Sequence, residues 1–334
     1  MGIEVVVEGL EKSFGRQRVW QDVTLTLPPG EISVMLGPSG TGKTVFLKSL
    51  VGLVRPERGS VHINGVDIVS CREKHLYETR RLMGVMFQDG ALFGSMNIFE
   101  NIAFPLREHT RMRERQIRAV VEEKMAMVGL TGNEAKLPGE ISGGMRKRVG
   151  LARALVLEPQ IILCDEPDSG LDPVRTAHLA QLFIDLNAQI EATMLIVTHN
   201  IALARAVPDN IGMLFRGQLV GFGPREVMLT TDEPVIAQFL NGERHGPIGM
   251  AEEEDAQTLE MAELAGYAPA GRSEVGRQLA PSPGLPDRQA VARRRDRALA
   301  SLDHLPAHTR PAVLDALRET SPPWGGGYVG DGEA

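Results

Sequence analysis

The stretch that decides the fold is GPSGTGKT, Gly37 to Thr44, which follows the apolar run ISVML and opens the helical pattern VFLKSLVGL. Glycines at this spacing let the backbone curl until several N–H groups aim at one anion, with the positive end of the next helix behind them. Strand, glycine-rich loop and helix in this order are the context a P-loop requires. Gly37, Pro38, Ser39, Gly40, Thr41 and Gly42 are therefore expected to wrap nucleotide phosphates. Lys43 would reach the β- and γ-phosphates, and the Thr44 hydroxyl would bind Mg2+.

Three other apolar runs end in polar residues of the right kind. IILCDEP reads as a buried strand that delivers Asp165 to Mg2+ and Glu166 to the attacking water. Alone, it would be an apolar strand ending in a solvated acid pair; a P-loop in the same chain reverses that reading. TMLIVTH ends in His199, which would emerge on the same sheet edge, within reach of a γ-phosphate. LMGVMFQ ends in Gln88, placed to reach both Mg2+ and water. Further on, ISGGMRKRVGLARAL begins a helix with Ser142, Gly143 and Gly144, a second anion site of bare backbone donors. One chain has one P-loop and one such helix start, and in this architecture the two would not meet on one nucleotide. Two copies placed head-to-tail solve the problem, sandwiching two ATP molecules, with the linking DSGLD segment along the seam.

Composition bounds the rest. A chain of 334 residues can bury a large core. The net charge of −7 argues against a nucleic-acid binder, which carries a basic excess. Cys71 and Cys164 have neither the number nor the spacing of a disulfide framework or zinc site, which suits a reducing compartment. No apolar run reaches the ~20 residues of a membrane span, so work at a membrane would require docking on something that crosses it. Strands alternating with helices predict an α/β fold with a largely parallel sheet; the opening strands, with turns at Pro28-Pro29-Gly30 and Asn64-Gly65, add an antiparallel layer. An ATP-binding domain is expected over 1–245, with a helical insert at about 97–157. An acidic, Pro/Gly-rich linker follows at 246–290 and a short extension with two helices at 291–334. From 246 onward nine arginines and no lysine stand against fourteen acids, so every cation of this net-acidic tail is an arginine. Leu299, Leu302, Leu305, Val313, Leu314 and Leu317 recur at helical spacing in pieces too small to bury them unaided. The extension either stays mobile or docks on the body, and the expected place is across the seam between two copies.

P-loop, Gln88, Ser-Gly-Gly, Asp-Glu, Ser-Gly-Leu-Asp and His199, in this order, resemble the ATPase subunit of an ABC transporter over about residues 3–242. MFQDGALFGSMNIFENIAFPLREHT and FLNGERHGPIGM narrow the resemblance to the Mce/Mla lipid-transport ATPases, and the long tail to their actinobacterial Mce branch. The resemblance implies a P-loop ATPase fold and hydrolysis of Mg-ATP by a homodimer. It also implies a place on the inner face of the plasma membrane, docked on integral permease subunits and through them serving Mce substrate-binding proteins. It implies that Phe14 stacks on adenine, that Lys43, Ser142 and His199 stabilise the γ-phosphoryl group, and that Thr44, Gln88 and Asp165 handle Mg2+. Leu92, Phe93, Met96, Ile98 and Phe99 would contribute to a groove for a permease helix. The sequence departs from the general pattern at Met145, where glutamine is commonest, and at Gly170, often alanine. An ABC transporter for another cargo, such as an amino acid or a drug, and a soluble ABC ATPase are the alternatives.

Overall fold

The computed structural model describes residues 2–249 and 275–319. The antiparallel layer is built from β1 (Val5–Phe14), β2 (Gln17–Leu27), β4 (Arg58–Ile63) and β5 (Val66–Asp67), in the order β2-β1-β4-β5. Inward-facing Val5 and Val7 on β1 and Val23, Leu25 and Leu27 on β2 alternate with solvated neighbours, the period-two pattern of a sheet with one wet face; Leu10 turns inward three residues after Val7, past a shift of register.

The second sheet holds β3 (Ile32–Leu36), β6 (Met83–Met86), β7 (Ile161–Asp165), β8 (Thr193–Val197), β9 (Asn210–Phe215) and β10 (Gln218–Pro224). Their order is β10-β9-β3-β8-β7-β6. Five strands are parallel, and β3, β7, β8 and β9 are buried at every position, as strands covered on both faces must be. β10 joins β9 antiparallel through Arg216-Gly217, both at positive φ, the geometry of a two-residue hairpin turn.

Two cores flank this sheet. Trp20, Phe46, Leu47, Leu163 and Leu195 belong to the one beneath the antiparallel layer and α1 (Lys43–Leu50). On the other face, Ile162 and Ile196 pack with α3 (Ile98–His109), α4 (Glu114–Met127), α5 (Gly143–Leu155) and α6 (Pro173–Ile190). The short α2 (Glu73–Arg80), α7 (Ile201–Ala206), α8 (Arg225–Leu229) and α9 (Pro234–Asn241) complete the body. No helix among the described residues is long and apolar enough to cross a membrane.

Register aligns the functional ends. Met35 on β3 pairs with Val197 on β8, Val197 with Asp165 on β7, and Cys164 with Met86 on β6. The P-loop, Asp165-Glu166, His199 and Gln88 all leave the sheet at this carboxyl edge, where open α/β sheets bind ligands.

Residues 250–274 of the expected linker and 320–334 of the extension lie outside the described residues. From Val275 the chain crosses the body: Leu279 donates its N–H to Ala206, and Ser282 donates to Asp185 on α6. It then forms α10 (Gln289–Ser301) and α11 (Arg310–Glu319). Both dock on the body, and Val313, Leu317, Leu302 and Leu305 of the apolar spacing take part in the contact. Leu299 is exposed, and only Ala298, Val313 and Leu317 form a small buried cluster with Val227, Leu302 and Leu305 around it. Charge dominates instead. Arg288 and Arg294 pair with Asp209, Arg294 also with Glu226 at 3.2 Å, and Arg297 with Glu31; all three acids are fully buried. Glu31 precedes β3 and Asp209 precedes β9, so the extension covers the amino edge of the sheet, opposite the P-loop. Docking across a seam at the P-loop edge is thereby corrected.

Candidate nucleotide site

Gly42 shows why the loop is glycine-rich. It is the N-cap of α1 with φ +84°, and a Cβ there would lie 2.4 Å from Val19 Cγ1 and 2.9 Å from the Trp20 ring. The Trp20 indole N–H donates to the Gly42 carbonyl at 3.2 Å, so β2 braces the loop from below. With glycine as its N-cap, α1 has no side-chain cap, which leaves its first N–H groups for a ligand. Lys43 folds over the loop, its ammonium donating to the carbonyls of Gly37 at 2.8 Å and Pro38 at 2.7 Å. Burial lowers the proton affinity of Lys43, while Glu166 and Asp165 oppose that shift. Ser39 and Gly40 at the loop's crest are exposed, and the Thr41 hydroxyl donates to the Pro38 carbonyl.

Next door, the Thr44 hydroxyl donates to Asp165 Oδ1 at 2.9 Å. Burial raises the pKa of Asp165, and adjacent Glu166 adds to the rise; the Thr44 hydrogen bond works against both. A hydroxyl and a buried carboxylate that meet at 2.9 Å are hard oxygen donors, so they fit Mg2+ that completes its shell with phosphates and water. No cluster of three or more His, Cys, Asp or Glu able to cage a metal occurs among the described residues.

Glu166 adopts φ +43°, an uncommon conformation for a non-glycine residue. It turns the carboxylate toward His199, whose Nδ1 lies 3.3 Å from Glu166 Oε1. His199 remains half exposed. Gln88 stands at the same edge, but its amide contacts Ser169 Oγ at 3.5 Å rather than the Thr44–Asp165 pair.

Phe14 ends β1 opposite Gln17, 53% exposed, with the Lys12 ammonium 5.1 Å from its ring centroid. A large exposed aromatic beside the loop-bracing hairpin is free to meet a planar ring. Ser142 caps α5, its hydroxyl accepting the Met145 N–H at 3.3 Å. A Cβ on Gly143 would meet only the tip of Arg146 at 3.6 Å, and one on Gly144 would press Leu171 at 3.2 Å. Ser142, Gly144 and Met145 open onto a cavity of about 620 Å³, shared with Leu171, Arg175 and His178. α5 packs against β6, α3 and α4, whereas α1 packs against β7 and β8; the two helix starts belong to different walls of the molecule.

Two groups of residues escaped sequence reading. Lys147 and Arg153 on α5 donate to backbone carbonyls: Lys147 to Glu166 and Ser169, Arg153 to Gly90 and Ala91. Their only signal was cationic residues on the inward face of a helix. Asp209, Glu31 and Glu226 had no signal until the arginines that meet them were placed. Of the apolar set after Gln88, Ile98 and Phe99 are core, Leu92 and Met96 are half-buried, and Phe93 is exposed against Phe104.

The family model described as ABC transporter matches residues 20–169. The "Probable ribonucleotide transport ATP-binding protein mkl" of Mycobacterium tuberculosis is 65% identical over 326 residues, covering 96% of this chain and 91% of that protein. The "Intermembrane phospholipid transport system ATP-binding protein MlaF" of Escherichia coli is 36% identical over 234 residues, 70% of this chain and 87% of that one. Among solved structures, the dimeric bacterial ABC transporter cassette MJ0796 superposes with a TM-score of 0.62 at 29% identity, covering 66% of this chain and 98% of that chain.

Proposed function

The chain belongs to the ABC transporter ATPases of the Mce/Mla family, and from that premise we propose that two copies, closing on two molecules of ATP, drive lipid through a membrane permease. It binds and hydrolyses ATP. The observation that carries the proposed chemistry is the meeting of Thr44 with Asp165 and of Glu166 with His199 at the ends of adjoining strands.

Arriving phosphates would take the Lys43 ammonium from the Gly37 and Pro38 carbonyls, and Gly40 to Thr44 would present their N–H groups to the same oxygens. Thr44, Asp165 and Gln88 would hold Mg2+, which neutralises charge on the β- and γ-oxygens when bound. Glu166 orients a water and takes its proton as the water oxygen bonds to the γ-phosphorus and the bond to the ADP oxygen breaks. His199 holds the Glu166 carboxylate and stabilises the γ-phosphoryl oxygens, while Phe14 stacks on the base. Ser142, Gly143 and Gly144 complete the site from the second copy. The dimeric MJ0796 cassette supports that arrangement, as does the placing of the two helix starts on different walls.

Residues 1–245 form the ATPase domain in this reading, and 291–334 an extension joined through 246–290. Exposed Phe93 with Leu92 and Met96 offers a permease helix an apolar edge beside Gln88. Permease subunits on the cytoplasmic side and, through them, substrate-binding proteins are the partners. Lipid as cargo is supported by the phospholipid-transport name of MlaF; ribonucleotide cargo, from the name of the mycobacterial relatives, is the second reading. Purifying the tagged chain from its own membranes and identifying both the accompanying proteins and the bound small molecules decides between them. A permease that arrives with lipid and whose ATPase rate rises with added lipid is expected. Ribonucleotide stimulation without lipid would transfer the assignment to the second reading.

A further inference from the structure

Lys147 lies one turn beyond Gly144 on α5 and is only 6% exposed. Its ammonium is aimed at backbone: it donates to the carbonyl of Glu166 at 3.1 Å and to that of Ser169. Those two carbonyls bracket the turn Glu166-Pro167-Asp168-Ser169. The turn needs holding, because Glu166 has a positive φ that persists only where its surroundings over-determine it. On the strand side the anchors are plain. Glu166 N–H donates to Val197 O at 2.8 Å, and the Thr198 hydroxyl donates to buried Asp168 at 2.8 Å, next to His199. Within the turn, Ser169 N–H reaches the Glu166 carbonyl at 3.2 Å. On the helix side the hydrogen-bonded anchor is Lys147.

A buried lysine that satisfies a turn could be scaffolding and nothing more. What distinguishes this one is the helix that bears it. α5 begins at Ser142, the element assigned above to the nucleotide of the other copy. A helix moves as a stiff rod, so a shift of its first turn is a shift of the Lys147 stem.

We infer that Lys147 is a positioning residue that fixes the Glu166 backbone to α5, so that seating Ser142–Gly144 on the partner copy's nucleotide sets Glu166 in its own site. The inference rests on the dimeric reading above. It links the two nucleotide sites through one side chain: occupancy of one site places the general base of the other. A turn released from Lys147 still binds ATP, because no P-loop contact passes through it, but presents the carboxylate loosely.

The test uses the full chain with Lys147→Met, which keeps the stem and removes the donors, and Lys147→Arg, which keeps charge and donors; Glu166→Gln is the control. Steady-state ATPase gives kcat and KM, and sedimentation with ATP gives dimer formation for Lys147→Met placed in the Glu166→Gln chain. Expected are a kcat about tenfold lower or less still in Lys147→Met, since misplacement by about an ångström has effects of that size or more. KM and ATP-driven dimerisation should not change, and Lys147→Arg should regain most of the lost rate. If Lys147→Met does not fold, Lys147→Gln, whose side chain is shorter and uncharged, replaces it under the same expectations. Wild-type kcat in the donor-free variant, or an equal loss of ATP binding or dimerisation, overturns the inference. Glu166→Gln with normal turnover overturns it together with the reading beneath it, whereas Glu166→Gln stalled beside a fully active Lys147→Met faults Lys147 alone.

Discussion

Glu166 and Lys43 sit within one site and should fail in different ways. The Lys43 ammonium, already stripped of water and held by two carbonyls, is poised to exchange them for phosphate oxygens in charge-assisted hydrogen bonds. Such bonds are worth about 1.5–3 kcal/mol each, so Lys43→Ala is expected to weaken ATP binding roughly ten- to hundredfold. Glu166 touches His199 and no part of the P-loop cradle, so Glu166→Gln should bind ATP almost normally. Loss of a general base lowers turnover by about 10²–10⁴-fold. Fluorescent-nucleotide titration and phosphate release measured on both variants separate the two effects; near-normal phosphate release by Glu166→Gln would remove Glu166 from its role. These residues were legible because chemistry restricts the types: a phosphate loop needs glycines, a lysine and a hydroxyl, and a metal-bound phosphoryl group needs acids at strand ends. Lys147 was not, since a lysine donating to carbonyls reads from sequence like one facing water.

Among the elements, α10 is the one whose role inverts between sequence and structure. The run VARRRDRALASL reads as a short helix with a thin apolar stripe, yet Arg288 before it, and Arg294 and Arg297 within it, are the residues that enter the body. The acids they meet stand far away in sequence, before β3, before β9 and within α8, so no local pattern could announce the match. Asp209 is the centre. Burial alone would raise its pKa, but Arg288 and Arg294, with the Ile32 N–H and Gln278, bring it below the ordinary carboxylate value. A depressed carboxyl stabilises the fold fully above its unfolded pKa of about 3.9, and that contribution is lost as pH falls through the lower folded value. Arg288→Ala leaves the charge buried with one cation fewer. It should destabilise by about 3–5 kcal/mol and move acid unfolding to higher pH, because Asp209 is then less strongly held down. Urea melts at pH 7 and a pH titration of the far-UV signal check both. ATP affinity should stay unchanged in the surviving folded protein, since this network closes the amino edge of the sheet and the phosphates bind at the carboxyl edge. A shift in nucleotide affinity as large as the stability loss would show that the two edges communicate.

At the scale of the whole molecule, the parallel sheet was legible because strands buried on both faces are short, continuously apolar and separated by helices. The order β10-β9-β3-β8-β7-β6 was not, since order is settled by crossover packing that no single strand encodes. What the order does is gather four strand ends into one half-site and leave the α5 start on another wall. Such a division predicts how damage combines. A homodimer of Lys43→Ala has two broken P-loops, and a homodimer of Ser142→Arg, whose longer charged side chain blocks approach to the helix start, has two broken lids. In a mixed dimer of the proposed arrangement both lesions fall in the same composite site, because there the P-loop of one copy would face Ser142 of the other. The second site is then wholly wild-type. Two differently tagged chains, co-expressed and purified through both tags, should therefore hydrolyse ATP at up to about half the wild-type rate if the sites act independently, while each homodimer stays near background. If every site were instead assembled within one chain, each copy in the mixture would carry its own lesion and the mixed dimer would be as inactive as its parents. Sedimentation of the doubly tagged material guards against the trivial failure, in which Ser142→Arg prevents pairing and no mixed dimer forms.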